Sequence, residues 1–412
     1  MKKAKLRNGG VVGLTLAVGV ATAALIANTV AVSAAEPVAL KLVDYWGDEP
    51  AKTYWRELYA NCGKEVGATV STESVPGNDL VPKVLQMMAS KTLPDVLMFD
   101  NPDMQQVAVA GALTPLSDYG VDTKGFYPGI LSAGSYQGKV YGLAPAVDMI
   151  GLFYNKDILD QAGVTPPKTW DELKAAAKKL TTADRYGFAF DADPGLESAW
   201  QFLPFMWSNG GNETKLNDPK VVEALQLWVD LVKSGSVSES VVTWTQHDLN
   251  DQFVARKAAM MINGPWQFPK LEKVEGLHYA VTDIPVPRAG DPSIVPLGGE
   301  VYTVPKTGDA AKQKKAAELI ACMNTDQKEL ALAAKRQTVP SKISVADKYS
   351  ADNPRMAPFV KIVANARART GLLGPSWPKA ASAISGAIQS ALTGQATPQQ
   401  ALDAAQESMG SK

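Results

Sequence analysis

The sequence predicts an α/β fold in two lobes, and three observations lead there. Apolar strand-length runs alternate with amphipathic helical stretches from residue 38 onward, which implies parallel pairing with helices on both sheet faces. The chain has 412 residues, 46% of them hydrophobic, enough for two cores of ordinary size. Three extended, proline-bearing stretches, Leu143-Ala-Pro-Ala146, Asp283-Ile-Pro-Val-Pro287 and Thr338-Val-Pro340, mark three passages between the lobes. Three passages side by side make a hinge rather than a loose linker. The expected organisation is an export segment over 1–35, an N-terminal lobe of 36–145 plus 286–338, and a C-terminal lobe of 146–285 plus 339–412.

The elements follow in order. Residues 38–45 open with Leu40 and Leu42 alternating about Lys41 and read as the first strand. Residues 51–66 place Tyr54, Leu58, Tyr59, Cys62 and Val66 on one helical stripe, with Gly67 as the stop. A strand is expected at 68–74, a helix at 80–89 and a buried strand at 95–99, where Asp95 reads as a turn residue. Residues 139–155 read as an extended crossing segment. Thr169-Trp-Asp-Glu172 is a capping box, in which the threonine hydroxyl accepts from the Glu172 amide and the carboxylate reaches back. Asp218-Pro219 opens a helix with the stripe Val222, Leu225, Trp228, Val229 and Val232. Further amphipathic helices are expected at 312–323, at 380–392 and from Thr397. Trp55, Trp170 and Trp228 fall on these stripes or on the capping turn and read as packing residues.

Composition excludes several classes of function. A net charge of −1 argues against a general nucleic-acid binder, which needs a basic excess. Two histidines, His247 and His278, leave little for metal binding or acid–base work, have no partner at metal spacing, and read as structural. No cofactor and no metal are expected. Cys62 and Cys322 allow at most one bridge; free, buried thiols are the expectation. At the N-terminus, Lys2, Lys3, Lys5 and Arg7 precede an apolar run from Val11 to Ala27 and then Val32-Ser-Ala-Ala35. This is the pattern of a secretory signal peptide, cut after Ala34 or Ala35. Its removal takes four of the 41 basic residues and none of the 42 acidic ones, leaving a mildly acidic chain outside the cytoplasm. An uncleaved anchor is the competing reading, since the apolar run is barely long enough to span a bilayer.

Strand ends supply the candidate ligand residues that need no comparison. Ligands in open α/β sheets bind beyond the carboxyl ends of strands. Trp46-Gly-Asp48-Glu49 follows the first strand, with Trp46 as a stacking ring and Asp48 or Glu49 as acceptors; helix capping by Asp48 is the alternative. Asp100 follows the strand at 95–99. Gly298 and Gly299 bring backbone amides close to a ligand beside Glu300, or simply turn into the next strand.

The segment Tyr136-Gln-Gly-Lys-Val-Tyr-Gly-Leu-Ala-Pro145, then Asp148, Phe153-Tyr-Asn-Lys-Asp157, Ala162-Gly163 and Pro167-Lys-Thr-Trp-Asp-Glu172, resembles the sugar-binding family of bacterial ABC-transporter solute-binding proteins, the maltose-binding-protein-like extracellular family 1. Phe253-Val-Ala-Arg-Lys-Ala-Ala-Met260, Met261-Ile-Asn-Gly-Pro-Trp266, Leu297-Gly-Gly-Glu-Val-Tyr302 and the tail with Gly394, Thr397-Pro398 and Ala401-Leu402 resemble it in the same order. The resemblance implies the type II periplasmic-binding-protein fold, with two lobes, three hinge crossings and a ligand cleft. It implies a carbohydrate ligand, an ABC permease as partner, a periplasmic or otherwise extracytoplasmic monomer, and no enzymatic activity. By the same resemblance Asp148 is a ligand carboxylate at the hinge, with a hinge salt bridge as its alternative. Trp200 and Trp266 are sugar platforms, with Trp207 a neighbouring candidate; burial in the helical core is the alternative for Trp200 and Trp207, and packing under the following loop for Trp266. Arg369 and Trp377, flanking Gly371-Leu-Leu-Gly-Pro375, are further candidates, although Arg369-Thr370 departs from the Arg-Pro pair usual there. Aromatics stack on the C–H faces of a sugar while carboxylates, amides and guanidinium groups engage its hydroxyls. A secreted carbohydrate-active hydrolase, and the same fold holding a polyamine or a glycerol-phosphate-type ligand, are the competing readings.

Overall fold

The first strand, Val38–Asp44, runs parallel to Ala68–Ser74 and to Val96–Asp100. These lie in a sheet that continues through Glu300–Pro305 to Leu113–Thr114, with Gly142–Leu143 also paired to Glu300–Pro305. The computed structural model describes residues 36–410, together with Gly10 and Gly13. The expected export segment, those two glycines apart, lies outside the described residues. From Pro37 onward the chain is one compact unit.

Parallel pairing, expected throughout, holds only for the opening strands. Glu300–Pro305 is antiparallel to Val96–Asp100, with Glu300 opposite Asp100. The second sheet is wholly antiparallel: Gly151–Asn155 lies between Met260–Asn263 and Tyr279–Thr282. The reason is connectivity. Met260–Asn263 and Tyr279–Thr282, joined through the helix Phe268–Leu271, run parallel to each other, and Gly151–Asn155, from much earlier in the chain, inserts between them in the opposite direction.

Between the two sheets the chain passes through Ala146–Val147, returns after Tyr279–Thr282, and leaves again at Val339–Pro340. Val339 faces Val147 and Pro340 faces Ala146 in an antiparallel ladder, so two of the passages are zipped together. The extended stretch at 139–155 is broken into short strands at Lys139–Val140, Gly142–Leu143, Ala146–Val147 and Gly151–Asn155.

The helical stripes pack as their spacing dictates. In Ala51–Val66, Trp55, Leu58, Tyr59 and Cys62 are buried, and Gly67 ends the helix at φ 70°. Tyr54 is only half-buried and turns off the stripe. Both bonds of the Thr169–Glu172 capping box form, at 3.3 and 3.2 Å. Asp218 caps Pro219–Lys233 through the Lys220 amide. Helices expected at 80, 312 and 380 begin earlier, as Gly77–Ala89, Ala310–Met323 and Trp377–Leu392. Asp95 accepts the Lys41 amide at 2.8 Å, as a turn residue should. Among the described residues no helix is long and apolar enough to cross a membrane.

The cysteines correct the sequence expectation. They are not free thiols: Cys62 and Cys322 form a disulfide across a sequence separation of 260. Helices Ala51–Val66 and Ala310–Met323 pack side by side and bring the two Cα atoms to 5.7 Å, within bonding range. Nothing in the local sequence of either cysteine reveals that neighbour.

Candidate functional site

A cleft of about 500 Å³ opens beyond the carboxyl ends of the first sheet's strands. Its floor is built where the passages between the sheets meet. Asp148 directly follows Ala146–Val147, and its carbonyl accepts the Gly298 amide at 2.8 Å. Any side chain at Gly298 would press on Trp200 and on the Asp148 backbone, both near 3.0 Å. Gly299, at φ 99°, lies as tightly against Ala146 and Val147. The two glycines let the chain enter Glu300–Pro305 against the hinge strand, which brings Glu300 beside Asp148.

Three carboxylates therefore share this floor. Glu300 accepts from the Tyr45 hydroxyl at 2.7 Å and faces the Arg336 guanidinium at 3.6 Å. Burial pushes its carboxyl up to about 7, against the pull of Arg336; Asp148 and Asp100 add to the rise. Burial likewise raises Asp148, again opposed by Arg336 and reinforced by Asp100. Asp148 is 7% exposed, and its Oδ1 has no hydrogen-bond partner among the described residues. Asp100 is held by Arg369 at 2.5 Å. Such a buried, unpartnered carboxylate is costly unless something donates to it.

Aromatic rings form the walls. Trp46 sits just past the end of Val38–Asp44, its amide on the Asp44 carboxylate at 3.1 Å and its ring stacked on Trp55 at 5.5 Å. Opposite, Trp200 and Trp266 stack at 5.7 Å, with the Arg369 guanidinium 5.8 Å from the Trp200 ring. Gly264 is required here, because a Cβ at that position would overlap the Trp266 ring. Asp48 and Glu49 stand exposed at the rim. Of the two it is the Glu49 carboxylate, on the Thr53 amide at 3.2 Å, that ties back to the following helix.

Trp46, Asp48, Glu49, Asp100, Asp148, Trp200, Trp266, Gly299, Glu300 and Arg369 thus line one cleft. Trp207 and Trp377 do not. Trp207 lies on the same helical stripe as Trp200, two turns and about 10 Å further along. It is buried, donates to Glu213 at 2.9 Å, and borders a separate cavity with Gly210 and Gly211. Trp377 is buried at the start of Trp377–Leu392. His247, read as structural from the sequence, instead lines the cleft beside Gln246. His278 pairs with Asp157 at the surface. The sequence reading also passed over Tyr45, Tyr54, Glu197, Lys335 and Arg336 as lining residues. Tyr45 had a signal, adjacent to Trp46 at a strand end. Arg336 had none, since a basic residue in a helix's last turn is ordinary.

The model of the bacterial extracellular solute-binding protein family matches residues 57–358, well over half of the chain. The chain belongs to that family. A Brucella abortus (strain 2308) chain designated a binding protein is 27% identical over 345 residues, covering 81% of this chain and 82% of its own length. A Deinococcus radiodurans chain designated an ABC transporter-binding protein is 26% identical over 307 residues, 68% of this chain and 71% of that one. Among solved structures, maltose-bound MalE3 of T. maritima superposes with a TM-score of 0.79 at 24% identity, covering 90% of this chain and 99% of that one. That likeness shows the type II, two-lobed α/β fold of solute-binding proteins. Family membership places the protein outside the cytoplasm and among binding proteins.

Proposed function

We propose that this solute-binding protein captures a carbohydrate, an oligosaccharide in the first instance, in the cleft by hinge closure and delivers it to an ABC importer. The observation that carries this reading is Asp148. It is a buried carboxylate whose Oδ1 has no partner among the described residues, near Trp200 and close enough to Glu300 and Asp100 to feel their charge. A polyol supplies what that arrangement lacks: hydroxyl donors for the acids and C–H faces for the rings. The maltose in the T. maritima neighbour supports the same chemistry. In this reading Trp46, Trp200 and Trp266 stack on sugar rings, while Asp48, Glu49, Asp100, Asp148, Glu300 and Arg369 engage hydroxyls. Closure follows because the closed state gains contacts from both lobes at once.

The lobes of the proposal are 36–145 plus 286–338 and 146–285 plus 339–412. The protein acts as a monomer, exported by a signal peptide cleaved after Ala34 or Ala35. It does not turn over its ligand: an oligosaccharide incubated overnight with the protein stays intact by chromatography, and shorter products would make it a hydrolase. A thermal-shift screen over mono- and oligosaccharides tests the reading directly. A sugar at a hundred times its Kd stabilises by about 2.7 kcal/mol, a readily measured rise in Tm. Silence to every sugar, with a response to spermidine or glycerol phosphate, overturns it.

A further inference from the structure

Arg336 ends the helix Asp326–Arg336, three residues before the hinge strand Val339–Pro340. Its side chain is only 10% exposed. The guanidinium stands 4.4 Å from the Trp46 ring centroid and 5.1 Å from that of Trp55, so one planar cation packs against two stacked indoles. The same group faces Glu300 at 3.6 Å. The antiparallel hinge ladder explains the convergence, because Asp148 follows one of its strands and Arg336 precedes the other. Glu300 is faced by Tyr45 from the first strand's end, Asp100 from the paired strand, Asp148 from the hinge, Tyr302 on its own strand, and Arg336. Among these the only cation is Arg336, since Arg369 is engaged with Asp100.

We propose that Arg336 is the positioning residue of the cleft: its guanidinium plane fixes the Trp46 ring, and its charge favours the carboxylate form of Glu300, the form that accepts from ligand hydroxyls. It acts through these two neighbours. The inference rests on the carbohydrate reading only in its last phrase; the ring and the charge are properties of the ligand-free protein. Two features of the side chain do separate work. Any cation at this place favours the charged carboxylate. Only a planar, weakly hydrated one also stacks flat on indole. A purely structural ion pair predicts no such separation.

The two roles come apart in the ligand-free protein with Arg336→Gln and Arg336→Lys. The Glu300 carboxyl is followed by 13C NMR in glutamate-labelled protein, its signal assigned with Glu300→Gln. Burial raises its midpoint above the usual carboxylate range in the unaltered chain, against the pull of Arg336. In Arg336→Gln its midpoint rises by about one to three pH units, and in Arg336→Lys it returns. Trp46 is followed by acrylamide quenching of its fluorescence, taken as the difference from Trp46→Phe. Quenching rises in both variants, because neither side chain replaces the guanidinium plane. A Glu300 midpoint unmoved in Arg336→Gln overturns the proposal, as does Trp46 quenching unchanged in that variant. Should Arg336→Gln fail to fold, Arg336→Lys decides by itself: an unmoved midpoint with raised quenching supports the proposal, and unchanged quenching overturns it. None of these readouts uses a sugar. Failure of every sugar in the thermal-shift screen therefore removes the carbohydrate reading while leaving this result standing or falling by its own measurement.

Discussion

Two aromatic clusters of similar size serve different ends in this molecule. Around Trp228, Phe190 stacks at 3.9 Å and Phe202 and Phe205 meet the indole edge-on at 5.2 and 5.5 Å. All four rings are fully buried, and among the described residues no arginine packs over any of them. Around Trp55, the rings of Trp46, Tyr59 and Tyr302 lie at 5.3–6.0 Å, and charge is threaded between them. Arg336 covers Trp46, Tyr59 shares a hydrogen bond with Tyr302 at 2.7 Å, and Tyr59 also donates to the buried Asp44. The first cluster is hydrocarbon packing. The second couples the body of its lobe to the cleft, and it retains buried charges whose desolvation offsets part of what the rings contribute. The Cys62–Cys322 bond sits on the same helix as Trp55 and Tyr59, so the polar cluster is the one with a covalent staple beside it.

The largest effect belongs to the hydrocarbon cluster. Trp228→Ala removes a fully buried indole and should cost about 3–5 kcal/mol of stability, read from urea unfolding. Sugar affinity of the folded fraction should be unchanged, since Trp228 is not among the residues lining the cleft. A large loss of affinity without loss of stability would break the comparison. The staple comes next. Cys62→Ser with Cys322→Ser should cost about 2–4 kcal/mol by releasing a long loop in the unfolded chain. If the loss is confined to the lobe carrying Trp55, hydrogen exchange should rise in Ala51–Val66 and Ala310–Met323 while the helix Pro219–Lys233 stays protected. A uniform rise would mean that the clusters stand or fall together.

The burial of Trp228 was legible in the sequence, because it falls on the apolar stripe of a helix with Pro219 at its start and Gly235 at its end; its partners Phe190, Phe202 and Phe205 were not. The first strand and the capping box were legible for equally local reasons: alternation and a four-residue spacing. Trp46, Asp48, Glu49, Asp100, Gly299 and Glu300 were legible through strand ends and a Gly-Gly turn, whereas Asp148, Trp200, Trp266 and Arg369 came through the family resemblance. The rest depended on contacts between residues far apart in the chain. Cys62 meets Cys322 only because two helices lie side by side, and the antiparallel strands are set by connectivity. Arg336 reaches the cleft because its helix ends beside a hinge ladder, and no pattern within that helix reports it. Trp207 shows the converse failure. Its spacing from Trp200 gives the correct face of the helix but not the distance along it, and two turns carry the ring out of reach of the cleft.

The smallest expected effect is the sharpest test of what separates the clusters. Trp266 is only half-buried, stacked on Trp200 with its other surroundings open to the cleft. Removing it in Trp266→Ala exposes little core, so stability should fall far less than in Trp228→Ala. Affinity for the sugar that gives the largest thermal shift should instead drop by about 1–3 kcal/mol, roughly 5- to 150-fold, from lost stacking and apolar burial. Trp266→Phe should recover part of that loss, because a smaller ring keeps a face for C–H groups. Calorimetric titration of both variants beside urea unfolding reads the two quantities separately. An indole that cost stability and left affinity intact would make Trp266 another packing ring, and the wall it forms with Trp200 would then belong with the hydrocarbon cluster.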